Sequence, residues 1–267
     1  MSANLGYLFY NDMYTITDND IFSNENIIES LYSRTVNSDI DELEYFTSEE
    51  QMIYLRTTYP GLVFGTGLAH GVKGDNNDFK IGFSFDHTYG LPVIPASSVK
   101  GLLRSAFPGI NNDRTTPASI KSVKAKWIQS LISNINEELF FENTYQPLEN
   151  LNETEIGNII AIEEEIFEGK KEDSFLGIYK RDIFYDAFIS TENAIFLDKD
   201  FITPHKNALK DPEPLKFLKV LSNIEFLFQF DVKPGILSVD NKIRLFKKIL
   251  LTLGIGAKTN VGYGQFE

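Results

Sequence analysis

Two cations stand close to a predicted helix start, an arrangement that suits an anionic ligand. Ser97 or Ser98 offers a hydroxyl as N-cap, and the helix is expected over residues 98–107. Lys100 and Arg104 are four residues apart, so they lie on one side of this helix. Positive charges beside the unbonded N–H groups of a helix start favour phosphate.

The same helix also carries an apolar stripe, which indicates that it packs on a core. Its apolar residues recur at i, i+3, i+4 and i+7, namely Val99, Leu102, Leu103 and Ala106. A solvated basic edge on a core helix is therefore an equal alternative to an anion site.

A glycine-rich stretch near the C-terminus is the second candidate. Residues 254–264 read Gly-Ile-Gly-Ala-Lys-Thr-Asn-Val-Gly-Tyr-Gly, with Lys258 among the glycines. Glycine permits positive φ and a close approach of the backbone to a ligand. The stretch is not a Walker A loop, because its glycines close a predicted helix instead of opening one.

Histidines and aspartates raise the alternative of catalysis. General acid–base catalysis needs a side chain such as His70, His87 or His205. No nucleophile, second base or orienting carboxylate stands at a recognisable spacing, so hydrogen bonding to backbone or phosphate is favoured. Asp75 and Asp78 could offer oxygen ligands to Mg²⁺, but a solvated turn is the commoner role of such a loop.

Composition narrows the functional classes. The 267 residues include no cysteine, which excludes disulfides and thiolate zinc sites and favours the cytoplasm. No apolar run is long enough to span a membrane, and no signal-peptide pattern is present, so no membrane association is expected.

The acidic charge is unevenly distributed. The formal charge is −13, with 11 acidic and 2 basic groups in residues 1–56, and 13 and 6 in residues 111–175. The remaining residues carry a net charge of +3. Since charges act locally in salt solution, this motif-bearing remainder is compatible with RNA.

The apolar pattern predicts an α+β fold. Besides the helix at 98–107, we expect a last helix that Asp240 caps and Gly254 ends. Strands are expected at residues 60–69, 79–86, 183–189, 194–201 and 261–266, with a hairpin at 217–232 around Ser222-Asn223. The order strand, helix, strand, strand, helix, strand is ferredoxin-like, or RRM-like.

Two acidic regions are expected to be additions to this unit. Residues 1–56 are interpreted as an N-terminal appendage that contacts a neighbouring subunit, with helices at 24–34 and 39–55. The main domain would then span residues 57–267, with a two-helix insertion at 111–175. Trp127 lies in an apolar helical stripe of this insertion, which favours a core position.

The motifs together resemble the RAMP superfamily of CRISPR-associated RNA-binding proteins, and in particular the sixth-subunit family of type III-B, or Cmr, effector complexes. Ala96 stands where that family usually has glycine. The residues that carry the resemblance, in order, are Gly67-Leu68, His70, Tyr89-Gly90-Leu91-Pro92, Ile94-Pro95, Ser97 to Gly101, Arg104, Phe184 to Ala187, Pro204-His205 and Gly254 to Thr259.

The resemblance implies a non-catalytic RNA-binding subunit with neither cofactor nor metal. It would hold the 3′ part of the crRNA at the end of a filament. Its partners would be crRNA, with target RNA as a second candidate, other RAMP-type subunits and the small helical subunit. Asp186 would orient a loop or Arg104.

Site residues follow from the same resemblance. Lys100 and Arg104 would contact phosphates together with Ser97 and Ser98, and Tyr263 would stack on a base. The further candidates are Gly254, Gly256, Lys258, Thr259, Asn260 and Gly262 in the loop, with His70, Lys73, His205 and Lys206 in second rank. A metal-independent endoribonuclease and a purely structural protein-binding cap are the alternatives.

Overall fold

Helices and antiparallel strands make up the chain, as the sequence predicts. The computed structural model describes residues 4–10, 47–65, 83–109, 117–135, 151–190, 195–202 and 215–267. The helices are α1 (Leu5–Tyr10), α2 (Ala96–Ser105), α3 (Ala118–Ser133), α4 (Glu153–Glu163) and α5 (Val239–Leu253). The strands are β1 (Met52–Arg56), β2 (Val93–Ile94), β3 (Lys170–Lys171), β4 (Ser174–Phe175), β5 (Ile183–Phe184), β6 (Ala187–Ile189), β7 (Leu197–Ile202), β8 (Leu215–Val220) and β9 (Glu225–Asp231).

The main sheet is built around β9. This strand pairs antiparallel with β1 on one side and with β5 and β6 on the other, and β2 pairs with β6. The last residues of the chain continue the sheet beyond β1. Arg56 and Glu267 exchange two backbone hydrogen bonds of 3.0 and 2.9 Å, and the N–H of Thr58 donates to the Gln265 carbonyl.

The ferredoxin-like order is confirmed, but its first strand is β1. Along the chain the order is β1, α2, β6, β9, α5 and the terminal segment. We expected a helix through residue 55 in this region, and that prediction is wrong at its end because Met52–Arg56 is a strand. Alternation of buried Ile53 and Leu55 with exposed neighbours is the local signal for this strand.

The core lies against β9 and α5. Phe226, Phe228 and Phe230 share one face of β9 and are fully buried, and Phe230 packs on Phe246 of α5. Leu227, on the other face, is also buried. The strand is therefore covered on both faces.

The predicted hairpin at residues 217–232 is wrong. β8 pairs with β7 in a separate two-stranded sheet, and β9 joins the main sheet. Asn223, between them, adopts a left-handed backbone with φ of 64°. The turn that the sequence predicted is present, but it directs the chain from one sheet to the other.

Two further strand predictions fail in the described residues. Within residues 60–65, Leu62 makes a single bridge to Val220 and no strand forms. Within residues 83–86, Phe85 makes one bridge to Pro92. The remaining parts of both predicted strands lie outside the described residues.

The N-terminal helix α1 packs on its own chain. Phe9 is fully buried and contacts the rings of Phe83 and Phe85. The Asn4 amide donates to the His87 carbonyl at 3.0 Å. The described residues before β1 therefore contribute to the main core, while the predicted helix at 24–34 lies outside the described residues.

Both helices expected in the acidic insertion are present as α3 and α4. Trp127 packs partly buried against the core, as expected, but Val123 is exposed although the sequence pattern placed it in the apolar stripe. The α4 backbone continues as a π-helical turn over Glu164–Glu168. None of the helices in the described ranges is both long and apolar enough to cross a membrane.

Candidate nucleic-acid interface

The start of α2 differs from the prediction. Pro95 is the N-cap, and no side chain caps the helix from this position. Ser97 and Ser98 lie exposed in the first turn instead. The proline fixes φ at −60°, a value compatible with the N-cap, so the helix begins two to three residues earlier than expected.

Asp186 occupies the anion position at this helix start. Its Oδ1 atom accepts the Ala96 N–H at 2.6 Å, from the bend between β5 and β6. A carboxylate satisfies an N–H donor here and interacts favourably with the helix dipole. Asp186 was predicted to orient a loop or Arg104, whereas its carboxylate binds the N–H of Ala96 at the helix start. A phosphate approaching this N–H group would compete with Asp186.

The two cations of α2 already have partners inside the chain. Arg104 Nη1 lies 2.6 Å from Glu168 Oε1, and its Nε lies 3.7 Å from Glu163 Oε1. Lys100 Nζ lies 5.6 Å from the ring centroid of Phe184, within cation–π range. Lys100 is thus the better placed of the two for an external phosphate.

Glu163 is a buried carboxylate, although the sequence pattern predicted a polar face at this position. Its Oε2 atom accepts the Gly109 N–H at 2.9 Å, while Oε1 has no hydrogen-bond partner among the described residues. Burial raises the pKa of Glu163, against the opposing effects of the Gly109 N–H and the positive charge of Arg104.

Replacing Glu163 with glutamine should reveal this raised pKa. A carboxyl group with a raised folded-state pKa contributes stability that is lost as pH rises from its ordinary range through the raised value. The unfolding free energy of the wild type minus that of Glu163→Gln should therefore fall over this window and then level off. Urea unfolding at a series of pH values measures it, and a constant or rising difference contradicts the assignment.

The glycine-rich loop confirms the positive φ values that the sequence predicts. Gly254, Gly256, Gly262 and Gly264 have φ between 65° and 97°. A β-carbon at Gly256 would lie 2.3 Å from the Val63 carbonyl oxygen, and one at Gly264 would lie 1.9 Å from that of Ile255. These two glycines are therefore required by contacts within the chain, and not by the approach of a ligand.

Backbone hydrogen bonds attach the loop to residues 61–63. The Ala257 N–H donates to the Val63 carbonyl at 2.6 Å, and the Gly264 N–H donates to the Gly61 carbonyl at 2.8 Å. A strand was predicted over residues 261–266, but Val261 is the last residue of a 3-10 turn over Thr259–Val261. Only the terminal residues from Gln265 onward pair with β1.

Tyr263 is not available for stacking on a base. Its ring is buried against Phe217, and its hydroxyl donates to Asp200 Oδ2 at 2.7 Å. Burial and the Asp200 carboxylate raise the pKa of Tyr263. Burial alone would raise the pKa of Asp200 as well, but hydrogen bonds from Lys219 and Tyr263 outweigh it and lower the pKa of that carboxyl. The prediction of a stacking role for Tyr263 is wrong.

Tyr59 is the exposed aromatic residue beside the loop, and the sequence patterns did not reveal its position. It is 86% exposed. The two residues that follow Tyr59 adjoin the loop. Pro60 Cδ would lie 3.4 Å from a β-carbon at Gly262, and the Gly61 carbonyl accepts the Gly264 N–H. A Tyr-Pro-Gly turn is visible in the sequence, but nothing local connects it with a loop about 200 residues later.

The loop also presents polar groups to solvent. Lys258 adopts a left-handed backbone, and its Nζ lies 5.7 Å from the Phe217 ring centroid. Thr259 is half-buried and Asn260 is exposed. None of the hydrogen bonds or ion pairs described for this loop joins it to the start of α2. The structure thus has two separate candidate binding points.

Some predicted residues cannot be placed. His70, Lys73, Asp75, Asp78, His205 and Lys206 lie outside the described residues. His87 is exposed in the turn before β2. Within the described ranges, no group of three or more histidine and acidic side chains is arranged to hold a metal ion.

Comparison with protein families decides the classification. The family model of the RAMP superfamily matches residues 54–267. The chain belongs to the RAMP superfamily. The match begins within β1 and extends to the end of the chain, so the strands and helices of the ferredoxin-like unit lie inside it.

Two further similarities accompany this RAMP assignment. The CRISPR system Cmr subunit Cmr6 of Pyrococcus furiosus is 25% identical over 219 residues, which are 72% of this chain and 62% of that protein. The matched region thus spans about 62% of the relative's length. A chain in the cryo-EM structure of a type III-B Cmr-beta complex bound to cognate target RNA has a similar fold, with a TM-score of 0.53 and 21% identity, over 100% of this chain and 86% of that one.

Proposed function

We propose that this RAMP protein is a non-catalytic, RNA-binding subunit of a type III-B CRISPR effector complex. It holds the 3′ part of the crRNA at the end of the filament, beside other RAMP-type subunits and the small helical subunit. Its similarity to a Cmr subunit supports the assembly. The observation that carries RNA binding is the glycine-rich loop, which is held rigidly by its own chain with Tyr59 and Lys258 beside it.

The loop offers the groups that single-stranded RNA requires. Tyr59 provides an exposed ring on which a base can stack, and Lys258 provides a charge for the phosphate backbone. Asn260 adds a donor and an acceptor on the exposed side of the same turn. Tyr59 thus takes the stacking role that the sequence suggested for Tyr263.

Gly101 supports a second binding point on α2. It lies in the middle of the helix, and among the described residues a β-carbon there would meet nothing within 4 Å. Glycine destabilises a helix interior relative to alanine, so the packing of this chain does not account for it. A ligand backbone passing close to α2, near Ser97 and Lys100, accounts for the missing side chain.

Gly101→Ala should therefore stabilise the chain and weaken RNA binding. We expect a gain of about 0.5–1 kcal/mol in the free energy of unfolding, because alanine is the better helix former. Gly157→Ala on α4 is the matched control, since a β-carbon there also meets nothing within 4 Å. It should give the same gain with unchanged RNA affinity. Urea unfolding and fluorescence anisotropy with labelled RNA measure both, and equal affinities for the two variants contradict RNA binding at α2.

Removing the two candidate phosphate-binding lysines should reduce the salt dependence of binding. For single-stranded RNA, the slope of log K against log salt concentration should fall by about 0.7 for each phosphate that is no longer neutralised. Lys100→Ala with Lys258→Ala should thus lower it by about 1.4. Lys247→Ala, an exposed change on α5, is the control. An unchanged slope would exclude both lysines from phosphate binding.

Copurification tests the proposed function directly. The tagged chain is isolated from its native host, and the bound RNA and bound proteins are both sequenced. CRISPR-derived guides together with a set of related subunits are the expected result. Recovery of the chain with processed repeat ends and no other subunits would favour an endoribonuclease. The same copurification is repeated with a variant in which the candidate basic residues are neutralised. If this variant still copurifies with related subunits and the assembly keeps its guide RNA, a structural cap is favoured.

A further inference from the structure

An open cavity lies on a surface that neither the glycine-rich loop nor α2 forms. Its volume is about 570 Å³, within the usual range of ligand pockets. The β3–β4 hairpin, the following turn and residues 233–235 enclose it. Its apolar wall includes Leu176, Tyr179 and Pro234, with Lys171 and Lys180 at the same opening.

Large apolar side chains surround this cavity in solvent. Three of them are among the most exposed apolar residues of the described chain, namely Phe175 (69%), Ile178 (71%) and Tyr179 (91%). Ile183 and Ile236 are also exposed. Tyr179 lines the cavity itself, and each of the other four exposed residues is next in sequence to a residue that lines it. A concentration of this kind on the surface of a folded domain indicates an interaction surface.

The charges around the cavity are arranged in two layers. Lys171 and Lys180 are exposed at its margin, and no acidic partner is described for either. Asp182 and Glu165 lie at its base, where both pair with buried Lys242 at 2.8 and 3.4 Å. The margin is therefore positive, and the base carries two carboxylates against one ammonium group.

We infer that this surface docks an acidic segment of a partner protein, with a large apolar side chain of that segment entering the cavity. The exposed lysines complement acidic residues that flank the apolar anchor. The apolar wall and the exposed side chains supply the area that such an anchor buries. This inference concerns a protein interface and does not depend on whether the chain binds RNA.

The composition of the surface favours a protein over RNA. Ile178, Ile183 and Ile236 stand beside the rings of Phe175 and Tyr179, so much of this surface is aliphatic and offers a base no face for stacking. The two lysines deeper in the cavity are already paired, Lys242 with Asp182 and Glu165 and Lys233 with Asp231, so they do not attract an entering phosphate as free cations would. An acidic peptide fits this arrangement, because its carboxylates meet the lysines at the margin while an uncharged side chain enters.

Site-specific photocrosslinking tests the interface in the full chain, expressed in its native host. Ile178 is replaced by p-benzoyl-phenylalanine, and the crosslinked peptides are sequenced by mass spectrometry. Val123, a similarly exposed position on α3, carries the probe in a control. A second sample combines the probe at 178 with Lys171→Glu and Lys180→Glu. Both lysines are exposed, and an unchanged thermal midpoint checks that the fold is kept.

The expected product joins position 178 to one protein segment that is net acidic and contains a large apolar residue. Its yield should fall at least tenfold on charge reversal, and the Val123 control should not form it. The inference is overturned if position 178 crosslinks only to RNA, or to a segment without net acidic charge. It is also overturned if charge reversal leaves the yield unchanged, or if no specific product forms. Sequencing of the RNA in the same sample separates this protein interface from the proposed RNA binding. If no guide RNA is found, RNA binding fails, but the protein crosslink should still form.

Discussion

Lys242→Met is expected to lower the free energy of unfolding by about 3–5 kcal/mol. Lys242 is buried, and its Nζ pairs with Asp182 Oδ2 at 2.8 Å and Glu165 Oε1 at 3.4 Å. Methionine preserves the length of the side chain but removes its charge. Two buried carboxylates then remain without their counter-ion, and leaving a buried charge uncompensated is strongly destabilising.

The pH dependence of this destabilisation identifies its cause. Burial already raises the pKa of Asp182, with the charge of Glu165 adding to it and Lys242 opposing it. Without Lys242 the Asp182 carboxylate should bind a proton more readily in the folded state, so the destabilisation should shrink as pH falls. Arg244→Met, an exposed change on the same helix, should stay within about 0.5 kcal/mol of the wild type. Urea unfolding of both variants at neutral and acidic pH measures these effects, and a pH-independent destabilisation would point to packing instead.

Gly264→Ala should be the most damaging change in the glycine-rich loop, at about 2–5 kcal/mol. The residue has φ of 72°, and its β-carbon would lie 1.9 Å from the Ile255 carbonyl oxygen. The alanine side chain would therefore add a backbone displacement to the conformational strain of a positive φ.

Gly262→Ala separates these two contributions. Gly262 also has a positive φ, of 97°, but its β-carbon would meet nothing closer than Pro60 Cδ at 3.4 Å. The Gly262→Ala substitution should therefore lower the free energy of unfolding only by the conformational strain of the positive φ, about 1–2 kcal/mol. Thermal or urea unfolding of the two variants tests this order, and equal destabilisation would show that the close approach to Ile255 relaxes freely.

Local sequence patterns predicted most elements because their signals are short-range. The stripe around Val99 and Leu103 identified α2, and the stripe around Phe246 identified α5. The N-cap prediction for α5 failed because a neighbouring residue was equally suitable. Ser238 caps α5 through a bond from the Asn241 N–H, whereas Asp240 pairs with Arg244. A difference of two residues between equivalent caps is smaller than sequence patterns resolve.

Strand pairing was less predictable because it depends on residues far apart in sequence. β1 had an alternating signal, but its acidic surroundings favoured a helical interpretation. β8 and β9 had good strand signals, but nothing local indicated that they would enter different sheets. The turn at Asn223 fits a hairpin equally well by its composition.

For the candidate site, the sequence indicated the segments but not the surroundings of their side chains. The glycine-rich loop and α2 remain candidates for binding, but three of their predicted binding groups have partners within the chain. Tyr263 binds Asp200, Arg104 pairs with Glu163 and Glu168, and the start of α2 binds Asp186. Each partner lies at least 59 residues away in sequence, so sequence spacing could not reveal the competition.

The attachment of the glycine-rich loop to residues 61–63 has a consequence for the energetics of recognition. Bonds from Ala257 and Gly264 fix the loop in the unliganded chain, and Tyr59 stands next to that anchor. For the RNA binding that we propose at this loop, the competent shape would be the ground state of the free protein, and not a minor conformer that a ligand must select. Apparent affinity should then equal intrinsic affinity, because no ordering entropy of the loop would oppose association.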